Sequence, residues 1–160
     1  MSNFESAISY VLANEGTDSN DAADHGGRTR FGITEAEARR HGYDVRKLTL
    51  DQAKGIYLKD YWRFDAITDQ RVATKLLDMS VNLGLGTAIK MAQREARAPV
   101  DGVFGPATAA LINDYRGLSD GFLWRLAHAC VRRYADIVSN DHSQAVFLRG
   151  WIDRALKLPS

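Results

Sequence analysis

Cysteine is nearly absent. The chain has one, Cys130, so no intrachain disulfide is possible. Proline is scarce at three residues, which leaves long stretches open to helix. Neither sign of charge dominates: 21 basic against 20 acidic side chains give a net charge of +1. That excludes the strong field that draws small proteins to nucleic acid, and no basic stripe stands out. No apolar run reaches the length of a membrane span. The N-terminal residues Met1-Ser2-Asn3-Phe4-Glu5 have neither a basic n-region nor an apolar h-region. The expectation is therefore synthesis in the cytoplasm without a signal peptide. The four histidines (His25, His41, His128, His142) are scattered. No second cysteine supports them, so metal-ligand spacing is missing and neither metal nor cofactor is expected.

What is present is helical pattern. Hydrophobic residues make up 45% of the 160, enough for one real core. Apolar spacing predicts helices over 3–14, 71–83, 87–97, 106–114, 119–139 and 143–156. Asn3 is the expected N-cap of the first. Thr34 with Glu37, and Thr49 with Gln52, read as capping boxes that open two shorter helices. Cys130 falls within the pattern Phe122, Leu123, Leu126, Ala127, Val131, Tyr134 and is expected to be an inert core thiol. Residues 16–33 carry turn chemistry, with a short hairpin expected across Gly26-Gly27. The loop at 98–105 is the best lobe boundary, dividing the chain into 1–97 and 98–160.

The chemistry concentrates between Glu15 and Thr34. Glu15 follows an apolar helix face (Phe4, Ile8, Val11, Leu12), and Asp24 and Thr29 lie in the Gly-rich stretch beyond it. Two carboxyls in unlike surroundings can divide into an acid and a base, as cleavage of a glycosidic bond requires. A partly desolvated Glu15 would favour its protonated form. Asp24, among glycines, would stay ionised, and Thr29 could orient a water. The bland alternative is a helix C-terminus followed by a solvated turn, with Gly16 as the stop.

Other segments admit two readings. Tyr61 and Trp62 could stack on sugars in a cleft or pack the core, while Tyr57 reads as core. Asp78 and Asn82 lie at i, i+4 in an otherwise apolar helix. They either brace the interior, since buried polar groups need partners, or Asn82 faces the cleft and bonds substrate. The Asp101–Thr108 segment reads as a turn that opens a helix at Pro106. Phe147, Trp151 and Gly150 read as terminal helix packing.

In order along the chain, Glu15-Gly16, Asp24, Gly26-Gly27-Arg28-Thr29, Phe31-Gly32-Ile33-Thr34, Tyr61-Trp62, Asp78 with Val81-Asn82-Leu83-Gly84, Asp101-Gly102-Val103-Phe104-Gly105-Pro106-Ala107-Thr108 and Gly150-Trp151-Ile152-Asp153-Arg154 resemble the glycoside hydrolase 108 family. These are small muramidases with a helical peptidoglycan-binding-type C-terminal region, common among phage endolysins. The resemblance implies a mainly α, lysozyme-like fold with a short β-hairpin or turn region near 16–33. It implies a catalytic lobe over 1–97 and a peptidoglycan-binding-type region over 98–160, packed as one unit. Glu15 is implied as the catalytic acid, with Asp24 and Thr29 as partners; Tyr61, Trp62 and Asn82 are the substrate-binding candidates. Where the family has Glu-Gly-Gly and an aromatic, this chain has Glu15-Gly16-Thr17-Asp18, so Asp18 is an alternative to Asp24 as second carboxylate.

The expected activity is hydrolysis of the β-1,4 bond between N-acetylmuramic acid and N-acetylglucosamine in peptidoglycan strands. The expected setting is a monomeric endolysin released with holin assistance to act on the wall from the periplasm. A non-catalytic wall-binding module and a lytic transglycosylase are the alternatives.

Overall fold

A computed structural model of the chain describes residues 1–15, 18–19, 29–115 and 119–160, with backbone alone at 18–19. Helix α1 (Phe4–Glu15) buries Ala7, Ile8 and Val11. Asn3 caps it as expected: its Oδ1 accepts the Ser6 N–H at 3.2 Å. Three two-residue strands follow, β1 (Asp18–Ser19), β2 (Thr29–Arg30) and β3 (Ile33–Thr34), paired antiparallel in the order β1-β2-β3. Arg30 faces Ile33 in the register, which leaves Phe31 and Gly32 as a two-residue turn. Both have positive φ, 53° and 77°, as a type I′ hairpin turn demands. The tight turn therefore falls at Phe31-Gly32; the expected one at Gly26-Gly27 lies outside the described residues.

Both capping boxes form. Thr34 Oγ1 accepts the Glu37 N–H at 3.2 Å while Glu37 Oε2 accepts the Thr34 N–H at 3.0 Å, opening α2 (Glu35–Arg40). Thr49 and Gln52 do the same for α3 (Leu50–Asp60). A 3₁₀ turn at Val45–Lys47 lies between them. Asp69 caps α4 (Gln70–Leu83) through the N–H groups of Arg71 and Val72. Gly84, with φ 85°, ends α4 and lets the chain start α5 (Leu85–Glu95) at once.

Pro106 opens α6 (Pro106–Asp114) from its first position. The turn before it is tied rather than loose: Asp101 Oδ1 accepts from Val103 N at 2.8 Å and from Gln93 Nε2 at 2.7 Å. Helix α7 (Ser119–Asn140) is the longest. The single helix expected over 143–156 is corrected. Asp141 Oδ1 accepts the Ser143 N–H at 3.0 Å and starts a 3₁₀ turn, His142–Phe147. Only then does α8 (Leu148–Leu156) begin.

Helix α4 is the axis of the molecule. It packs on α1, α5 and α7. One continuous core runs from Ile8 of α1 through Leu76 and Leu77 of α4 to Leu126 of α7. Cys130 is buried in it, and burial pushes its thiol up to about 11.

Candidate active site

The fold places the end of α1, the β2–β3 turn, the start of α2, the end of α3 and the end of α4 around one cleft of about 360 Å³. Glu15, Gly32, Thr34, Glu37, Tyr57, Tyr61, Val81, Asn82 and Arg154 line it. Glu15 is the last residue of α1, so its side chain leaves a packed helix directly into the cleft. Arg154 of α8 meets it from across the molecule, Nη2 to Glu15 Oε1 at 2.7 Å. The same guanidinium donates from Nε and Nη2 to Asp78 Oδ1 at 3.1 and 2.9 Å. Burial works against the Arg154 charge, but Asp78 and Glu15 outweigh it and hold the guanidinium firmly protonated.

A second layer fixes that layer in turn. Asp78 is 2% exposed and Lys75 fully buried. Lys75 Nζ lies 3.8 Å from Asp78 Oδ2 and donates to the carbonyls of Arg154, Ala155 and Lys157 at 3.3, 2.8 and 3.3 Å. Lys75 thus satisfies the orphan carbonyls at the end of α8, and this sets where Arg154 points.

Glu37 is a second carboxylate in the cleft. Its Oε1 accepts the Tyr61 hydroxyl at 2.6 Å, and its Oε2 the Thr34 hydroxyl at 2.8 Å. Burial opposes its charge, yet the hydrogen bonds from Tyr61 and Thr34 prevail and hold its carboxyl below the ordinary glutamate value. With both oxygens occupied by donors, Glu37 acts as a fixed acceptor that orients Tyr61. Tyr57 closes the floor: its hydroxyl donates to the Phe31 carbonyl at 3.0 Å. Burial first, then the charge of Glu15, keeps that hydroxyl protonated.

The expected site residues divide among these positions. Glu15, Tyr61 and Asn82 come together in the cleft. Asn82 Nδ2 donates to the Tyr134 hydroxyl at 2.6 Å, which holds its amide at the cleft edge. Thr29 on β2 faces Thr34 in the register and so shares the sheet face that borders the cleft. Asp24 lies outside the described residues, and Asp18 is described by its backbone alone. Trp62 is a correction: it is 5% exposed and packed edge-on between Phe4 and Phe64. Its Nε1 bonds Asp65 Oδ1 at 2.7 Å. At Tyr61 α3 ends, so the next side chain turns inward.

Arg154, Glu37 and Gly32 are among the cleft residues that sequence pattern does not point to. Arg154 was hidden in a segment read as packing, although a buried Asp78 demands a cationic or donor partner somewhere. Glu37 was read only as a cap. Gly32 belonged to a motif but had no stated role; no sequence signal pointed to its contact with Glu15.

A mainly helical body with a short sheet beside an acid-bearing cleft is the lysozyme-like arrangement, that of an enzyme that hydrolyses glycosidic bonds. Comparison places the chain within that class. Residues 8–84 match the model described as Glycosyl hydrolase 108, and residues 87–156 that described as Predicted Peptidoglycan domain. The first segment thus carries a glycosyl hydrolase 108 domain and the second a peptidoglycan domain, the pair expected of a glycoside hydrolase acting on peptidoglycan. It is similar to the solved structure of Brucella abortus SagA, at 29% identity and TM-score 0.77 over 95% of this chain and 88% of that one. No curated protein matches the sequence.

Proposed function

We propose that the chain is an N-acetylmuramidase that cleaves the β-1,4 bond between N-acetylmuramic acid and N-acetylglucosamine, with Glu15 as the general acid. The observation that carries this is the position of Glu15: the last side chain of α1, in the cleft, its carboxyl gripped by a guanidinium that two further buried charges hold in place. Glu15 protonates the leaving oxygen as the sugar passes through an oxocarbenium-like transition state. Proton donation leaves a carboxylate beside Arg154, and that fixed cation stabilises the charge the step creates. Asp24 is the proposed second carboxylate and Thr29 the group that holds water; Tyr61 and Asn82 hydrogen-bond the glycan at the cleft edge.

By the same reading the chain acts as a monomeric phage-type endolysin that reaches the periplasmic wall with holin assistance. Among the described residues no helix is long and apolar enough to cross a membrane. Lobe 1–97 carries the acid and lobe 98–160 supplies Arg154, the two working as one unit.

The test compares turbidity loss of purified peptidoglycan by wild type and Glu15→Gln, with both shown folded by circular dichroism. Removing the acid should lower the rate by at least about 10²–10⁴-fold. Equal clearing by both proteins would remove Glu15 from the role. Mass spectrometry of the products should show reducing muramic acid ends; anhydro ends would make the chain a lytic transglycosylase instead.

A further inference from the structure

We infer that Phe147 and Trp151 form a carbohydrate subsite on α8 that extends the Glu15 cleft along the glycan strand. The inference rests on the cleft proposed above and says how the peptidoglycan-domain segment touches its substrate. Phe147, the helical-conformation N-cap of α8, lies at i with Trp151 at i+4 and Arg154 at i+7, so the three follow one stripe. The stripe leads from Arg154 inside the cleft to Phe147, roughly 10 Å further along the helix axis.

Three rings line this track. Tyr134, whose hydroxyl holds the cleft residue Asn82, stacks on Trp151 with centroids 5.2 Å apart and planes at 30°. Trp151 in turn stacks on Phe147 at 5.8 Å and 27°. The inner ring is buried, but Phe147 is 54% exposed and its neighbour Val146 79%. The outermost ring of a stacked series thus stays in water, anchored on one face and open beyond it. Its support is stiff, because Asp141 Oδ1 accepts both the N–H and the hydroxyl of Ser143 and pins the 3₁₀ turn that presents Phe147.

The occupant is the glycan strand itself. The C–H face of a pyranose is apolar and packs on a flat ring, and rings are low-entropy anchors for such contacts. A linear polymer held at Glu15 also extends beyond the cleft, and the track begins at one edge of it, Asn82. A second copy of the chain fits poorly. Two exposed apolar side chains beside exposed Arg149 and Asp153 fall far short of the ~800 Å² per partner of a stable dimer.

The experiment measures co-sedimentation of Glu15→Gln protein with purified peptidoglycan sacculi, with N-acetylglucosamine hexamer as soluble competitor. Adding Phe147→Ala should raise the half-saturating sacculus concentration about ten-fold, Phe147→Tyr should restore it, and the hexamer should compete. Leu111→Ala, which removes a similarly exposed apolar side chain on α6, should change nothing. Unaltered binding by Phe147→Ala overturns the subsite, as does failure of the Glu15→Gln protein to sediment at all. Competition by stem-peptide fragments but not by the hexamer overturns the assigned occupant. A concentration-dependent dimer that Phe147→Ala abolishes, seen by analytical ultracentrifugation, overturns it as well. If wild type proves lytically inactive while these binding differences hold, the catalytic reading fails and the subsite stands.

Discussion

A Cβ built on Gly32 meets the Tyr57 hydroxyl at 2.5 Å and Glu15 Cγ at 2.9 Å, and the backbone there has φ of 77°. No side chain fits without moving either the floor of the cleft or the acid itself. Gly32→Ala should therefore cost about 1–3 kcal/mol in thermal or urea unfolding. It should also lower lytic rate beyond what the lost stability explains, because the clash falls on Glu15 as well as on Tyr57. Arg154 is the other single residue on which the site turns. Arg154→Met leaves Asp78 buried with Lys75 at 3.8 Å and the Asn14 amide at 3.5 Å as its remaining partners, a loss of about 3–5 kcal/mol. Arg154→Lys should recover part of that but little activity, since one ammonium cannot reproduce the planar fork that serves Asp78 and Glu15 together. Differential scanning calorimetry beside turbidity assays separates the two effects.

At the scale of elements, the Thr34–Glu37 capping box serves α2 and the cleft at once. The carboxylate that closes the box also receives the Tyr61 hydroxyl. Its carboxyl lies below the ordinary value, so its contribution to stability is present above about pH 4.3 and is lost as pH falls through the lower folded value. The urea midpoint of wild type should thus drop on acidification through that window. Glu37→Gln should be less stable at neutral pH and show a shallower acid slope, with Asp69, also held low by its hydrogen bonds, supplying part of what remains. The elements themselves were legible: apolar spacing and caps placed α1, α2, α3 and α6 closely, because local chemistry decides those boundaries. The last helix was not, since the 3₁₀ turn before Leu148 depends on a side-chain bond from Asp141. Trp62 was misplaced for a similar reason: sequence shows an aromatic beside a helix end, but not which way the chain turns there. Arg154 is paired with Glu15 only through tertiary packing, and periodicity carries no information about that.

For the whole molecule, the two family segments share one interior. Helix α4 closes the first segment and buries Val72, Leu76 and Leu77, against α7 as well as α1. A fragment ending at residue 84 would expose that face and leave Asp78 without Arg154. Such a fragment should show no cooperative melt by circular dichroism and no lytic activity, whereas the full chain should melt in a single transition. Two separable modules would instead give a folded, active fragment.

The buried Lys75 that holds the end of α8 has a further bearing on how the enzyme is made. Glu15 leaves the ribosome well before Arg154 and the carbonyls that Lys75 grips, because the two ends of this contact lie far apart in sequence. Contacts this distant in sequence form late in folding. A nascent chain therefore carries Glu15 long before it carries a finished cleft, and that cleft is complete only in molecules whose α8 has docked beside α1.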